Sequence, residues 1–133
     1  MDKPLFMSPQ HVETMNRLLD ADAGSRAECA KLDRRYWLVY ELADRERTVW
    51  WSVAFDPQRG VRFSLAPPAP HEPAMRLCGE YRAVVQATQR IKRGEAVDEP
   101  VTTHDEAGVL AIITPAFAAA GRAATIATTF PTF

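Results

Sequence analysis

Only two of the 133 residues are cysteines, Cys29 and Cys78, and they stand far apart with no CxxC spacing. A disulfide-stapled or cysteine-ligated fold is therefore not expected, and both thiols read as reduced and buried. Histidine is also scarce: His11, His71 and His104 are well separated, and none has a second histidine or cysteine at metal-ligand spacing. Each reads as a surface or capping residue, and no metal site is expected. The glycines are isolated, so there is no phosphate-cradling loop and no cofactor is expected. Neither sign of charge dominates. With 16 basic and 17 acidic side chains the net charge is −1, which offers no field to gather nucleic acid. The longest apolar stretch, Ala107 to Gly121, is shorter than the roughly 20 residues that cross a bilayer. The start, Met1-Asp2-Lys3-Pro4, lacks the basic and apolar regions of a signal peptide, so a cytoplasmic location is expected.

What is present is ordinary globular material, 47% hydrophobic and 25% charged. The length suits one domain over residues 1–133. Ser8-Pro9 opens a first helix, with Val12, Met15, Leu18 and Leu19 as its apolar stripe. Asp22-Ala23-Gly24 breaks it, and Ser25 with Glu28 forms a capping box for a short second helix. From Tyr36 the period changes to two. Tyr36, Leu38, Tyr40 and Leu42 share one face, and after the polar connection at Asp44-Arg45-Glu46 so do Val49, Trp51, Val53 and Phe55. A turn at Asp56 to Gly60 leads to Val61, Phe63 and Leu65, completing an antiparallel meander.

The segment Ala66 to Pro70 holds three prolines and bridges the two halves of the chain. Ala74 to Cys78 reads as a strand that Pro73 limits to an edge, or to starting where no donor is needed. A helix from Glu80 to Lys92 presents Tyr81, Val84, Val85, Thr88 and Ile91 inward and ends at Gly94. The acids Asp98-Glu99 read as solvated loop residues. Pro100 to His104 is the last strand, and Asp105 caps the final helix. That helix should kink at Pro115, and Arg122 to Thr128 is a further helical candidate.

No chemistry-bearing constellation stands out. His104-Asp105 has base-and-orienter chemistry, but adjacent residues rarely face each other and no nucleophile accompanies them. The rival enzyme reading is a small α+β enzyme with Tyr40, Asp44 or His104 around a pocket, which needs a buried acid or base. The last helix is nearly free of charge, so it must be buried all round or line something. A cavity, burial beneath other helices, and an interface with another subunit, as in a homodimer or an enzyme's assembly partner, are the competing readings. Leu110, Ile113 and Phe117 are expected to share its working face.

The order of elements, taken with local segments, resembles the sterol carrier protein type 2 family of non-specific lipid-transfer domains. The segments are Trp50-Trp51-Ser52-Val53-Ala54-Phe55 with its turn to Gly60, Met75 to Tyr81, Lys92-Arg93-Gly94, and the Asp105-led helix closing on Phe130-Pro131. Members carry Gly-Asp before the last helix, where this chain has His104-Asp105. The resemblance implies an α+β fold: a five-stranded mixed sheet with helices over one face and an apolar tunnel between them. It also implies a non-catalytic protein that carries or presents a sterol, fatty acid or acyl-CoA. The residues expected to line the cavity are Trp51, Val53, Phe55, Val84, Leu110, Ile113 and Phe117.

Overall fold

A computed structural model describes residues 3–98 and 100–133, so Glu99 of the acid pair lies outside the described residues. Nine elements follow in the order α1 (Pro9–Asp20), α2 (Ala23–Ala30), β1 (Tyr36–Asp44), β2 (Arg47–Asp56), β3 (Gly60–Ser64), β4 (Ala74–Glu80), α3 (Tyr81–Lys92), β5 (Val101–His104) and α4 (Val109–Ala124). The strands form one open sheet in the order β3-β2-β1-β4-β5. β1 is antiparallel to β2 and parallel to β4, and both outer pairings are antiparallel, so the sheet is mixed. This is the α+β architecture expected. No helix among the described residues is long and apolar enough to cross a membrane.

Register sorts the side chains. Leu38 pairs with Val53 and Met75, and Tyr40 with Trp51 and Leu77, so the apolar sets of the three central strands fall on one face. That face meets all four helices in a core that includes Met15, Leu19, Cys29, Leu42, Phe55, Val84 and Ile113. On the opposite face Trp37, Val39 and Ala54 make a second, smaller core, covered by Ala69 of the proline-containing crossing. Side chains pin that crossing to the sheet. Ser52 Oγ donates to the Ala66 carbonyl at 2.7 Å, and Trp37 Nε1 donates to Glu72 at 2.7 Å. Arg35 forks onto the same carboxylate at 2.5 and 2.7 Å, and its hydrogen bonds hold the Glu72 carboxyl down at about 2. β4 is an interior strand, and Pro73 sits just before its start, where the Pro73 carbonyl accepts from Trp37 N–H.

One sheet edge is closed by a side chain. Asn16 on α1 accepts from Phe63 N–H at 2.7 Å and donates to the Phe63 carbonyl at 3.0 Å. Its amide thereby copies one peptide group of a missing strand beside β3. The other edge, β5, has four residues and, among the described residues, no strand beyond it.

Two local expectations are corrected, the cap of α2 and the helix after α4. α2 is capped by Asp22, which accepts from Ser25 N–H at 2.8 Å. An aspartate ahead of the run outcompetes the Ser25 box, and Ser25 is buried inside the helix. α4 runs through Pro115, as read from the sequence, and reaches Ala124. Pro115 and Ala111, whose carbonyl loses its helical donor, both lie on the exposed side, where water can serve that carbonyl. After α4 the chain is extended and bridges Leu5 through Thr129, with no further helix. Asp105 does cap α4, although from outside the helix. Gly108 takes a positive φ (67°), and the Asp105 carboxylate accepts from Val109 and Leu110 N–H at 2.6 and 3.1 Å.

Removing that carboxylate frees two donors at the positive end of α4. Asp105→Ala should lower unfolding free energy by about 1–2 kcal/mol and Asp105→Asn by less, as measured by urea denaturation. Equal losses from both variants would count against capping as the role of Asp105.

Candidate functional site

α3 leaves the end of β4 and runs back over the sheet, burying Val84 and Val85. Between α3, β1 and the segment that follows α3 the packing leaves a gap. The space opened there is an apolar recess of about 290 Å³, lined by Tyr40 of β1, Val84, Ala87, Thr88 and Ile91 of α3, and Val97, Pro100 and Val101 of the following segment. The Thr88 hydroxyl donates to the Val84 carbonyl at 2.9 Å, so it presents its methyl rather than an unmet polar group. Among these described lining residues none is acidic, basic or a thiol. Gly79 sets one wall. A Cβ there would stand 2.6 Å from the Pro100 carbonyl oxygen and 3.0 Å from Val101, so only glycine lets the loop lie against β4.

A larger trough of about 610 Å³ between α1 and β3 is open and mixed in character, with Glu13, Arg17, Asp20 and Arg62 on its walls. The Arg62–Asp20 ion pair at 2.7 Å stands within it. It has neither the enclosure nor the uniform lining of an apolar ligand site.

The expected cavity residues separate into three groups. Val84 alone lines the recess. Trp51, Val53, Phe55 and Ile113 are buried on the helix side of the sheet, packed in the core. Leu110 and Phe117 are placed at the surface, 48% and 46% exposed. α4 in fact buries Val109, Ile113, Ala116, Ala120 and Ala124, a face rotated from the one expected through Leu110, Ile113 and Phe117. A helix apolar all round carries no mark of which side is inward. Tyr40 was expected at a pocket only in the enzyme reading, and Ala87, Thr88, Ile91, Val97, Pro100 and Val101 were not expected at a site. Thr88 and Ile91 belonged to the stripe read as buried, and Ile91 is 58% exposed at the rim.

The residues of the enzyme reading are not brought together. Tyr40 lines the recess, Asp44 sits at the β1–β2 hairpin in ion pairs with Arg47 and Arg82, and His104 pairs in register with Arg76. Arg76 lies on the far face, where Glu41 accepts from it and from Cys78 Sγ. Burial, then that carboxylate, pushes the Cys78 thiol pKa up and disfavours a thiolate.

His11, read as a surface or capping residue, is instead 5% exposed. Its ring lies 5.0 Å from Trp51 and 5.7 Å from Phe6, in a chain of rings that continues to Phe63 and Phe130. Nδ1 accepts from Met7 N–H at 3.0 Å, which places the neutral ring's proton on Nε2. Burial, with Lys92 adding to it, pushes the pKa down to about 4. Charging the ring would turn Nδ1–H against Met7 N–H. The folded pKa lies below the usual 6.5, so the unfolded chain binds the proton first and stability falls as pH drops from 6.5 towards 4. Between pH 7 and pH 5 the loss from this group should be about 2 kcal/mol. His11→Gln, which keeps an acceptor for Met7, should flatten the curve by that amount in denaturant titrations. Parallel curves would remove the linkage.

No family model matches the sequence, and no curated protein matches it. Solved structures do. A crystal structure of sterol carrier protein 2 overlays with a TM-score of 0.50 and 11% identity, covering 92% of this chain and 99% of that one. The solution structure of a conserved hypothetical protein from Thermus thermophilus, described as possibly a sterol carrier protein, gives 0.51 and 11%, covering 92% of each. A ubiquinone synthesis protein, UbiJ-SCP2, overlays less closely, at 0.42 and 14% over 81% of this chain and 90% of that one. The open five-stranded mixed sheet with its helices on one face is thus a sterol carrier protein type 2-like fold.

Proposed function

We propose that this chain binds an apolar, lipid-like ligand at the α3 recess and carries or presents it without transforming it. The observation that carries the reading is the recess itself, semi-enclosed and lined by aliphatic, alanine, proline and tyrosine side chains. The fold shared with sterol carrier protein 2 supports it as an analogy of architecture. Lipid chains are the chemistry such a lining favours, since each methylene removed from water contributes about 0.8 kcal/mol before the costs of binding. At about 290 Å³ the recess stands near the lower limit of small-molecule sites, roughly 300 Å³. That size favours one acyl chain, as in a fatty acid or acyl-CoA, over a sterol. A non-catalytic role fits the lining, which offers no acid, base or nucleophile among its described residues.

The test is a titration with a fluorescent fatty acid beside thermal unfolding. Wild type should show saturable binding at micromolar protein. Ala87→Phe, which projects a ring into the recess, should weaken binding about tenfold by excluding two or so methylenes, while the melting temperature moves by little. Absence of saturable binding by wild type would remove the lipid reading. Equal effects of Ala87→Phe and of a surface control such as Gln86→Ala would place the ligand elsewhere.

A further inference from the structure

α4 has a second apolar face that the described residues leave largely open, with Phe117 half-exposed and its ring centre 6.3 Å from that of Phe55. Val109, Ile113, Ala116 and Ala120 point inward, while Leu110, Ala111, Thr114, Phe117 and Ala118 are exposed, and no ionisable side chain occurs from Ala107 to Gly121. Leu110, Thr114, Phe117 and Gly121 follow one another at spacings of four, three and four, the rhythm of a seam between two helices. Thr114 spends its hydroxyl on the Leu110 carbonyl of its own helix, 2.5 Å away.

We propose that this face pairs with the same face of a second copy of the chain, the two α4 helices running antiparallel about Thr114. Volume and charge both select that arrangement. In an antiparallel pair centred on residue 114, Leu110 of one copy lies at the height of Ala118 of the other, and Phe117 at the height of Ala111. Each large side chain meets a small one, which is what interdigitation at interior density requires. The same symmetry brings the turn before each helix, which carries Glu106, towards Arg122 in the last turn of the other copy's helix. Both are exposed, and neither makes a close ion pair among the described residues, although Arg122 lies near enough to Asp22, and Glu106 to Arg76, to act on those groups. A parallel pair would instead stack Phe117 on Phe117 and Arg122 beside Arg122, and would align the helix dipoles unfavourably. The two-fold contact is self-complementary and closes at two copies. The seam is a single 16-residue helix, about 24 Å long. So short a contact belongs to the small end of protein interfaces, and the dimer is weak and concentration-dependent.

Sedimentation equilibrium of the full chain over the micromolar range tests this. Wild type should pass from monomer to dimer, and Phe117→Ala should stay monomeric at the same concentrations. Glu106→Arg or Arg122→Glu alone exchanges two attractions for two repulsions and should raise the dimer dissociation constant about tenfold. Combining them should restore it. Thermal unfolding of each variant checks that the monomer is intact. A monomeric wild type throughout, or a dimer indifferent to the charge exchange, would overturn the proposal. So would flotation of the monomer with neutral phosphatidylcholine vesicles that Phe117→Ala abolishes, which would make the face a lipid-surface contact.

Discussion

β1 is hydrogen-bonded along both of its edges, to β2 on one side and β4 on the other, and both of its faces are covered. Because side chains alternate with a period of two, this pairing decides at once which residues of three strands meet the helices and which meet the crossing. A slip of one residue would send Leu38, Tyr40 and Leu42 to the crossing's side and bring Trp37, Val39 and Glu41 beneath the helices. The positions of α1, α3 and α4, the wall of the recess and the anchoring of residues 65–73 all presuppose the observed register.

The crossing shows how polar groups secure such a choice. Ala69 packs on the far-face core, and hydrogen bonds from Ser52 and within the Arg35–Glu72–Trp37 group tie the crossing to the sheet. Arg35 also lies over the Trp37 ring, 5.2 Å from its centre. One carboxylate receives a guanidinium fork and an indole N–H together, which binds the loop, the start of β1 and the tryptophan into a unit. Helices on one face and a tethered ribbon on the other leave ligand-sized space only where an element stands off the sheet. The recess lies along α3 from Val84 to Ile91.

The strands were legible because alternation is a strict code when one face is buried. Tyr36 to Leu42 and Val49 to Phe55 stand as their spacing requires. The helices were legible in place but less so in orientation. α1 buries His11, Met15 and Leu19 and leaves Leu18 exposed, because a histidine whose Nδ1 is satisfied by Met7 N–H can serve as an apolar ring. α4 could not be oriented at all from a sequence apolar on every side. The recess was hidden for a different reason. Half of its lining comes from α3 residues that look like ordinary core, and the rest from Tyr40 and from Val97, Pro100 and Val101, whose placement depends on a loop passing over Gly79. No periodicity records a contact of that kind.

The amide of Asn16 beside β3 bears on how this protein could go wrong as well as on how it folds. A sheet with two free borders can recruit strands at both and grow into a fibre. Here one border is occupied by a side chain anchored on α1, which an incoming strand would have to displace. Among the described residues the four-residue border at β5 has no such side chain across it. Strand pairing through the β5 border joins two sheets edge to edge, and its continuation past a pair would require displacing Asn16 from β3.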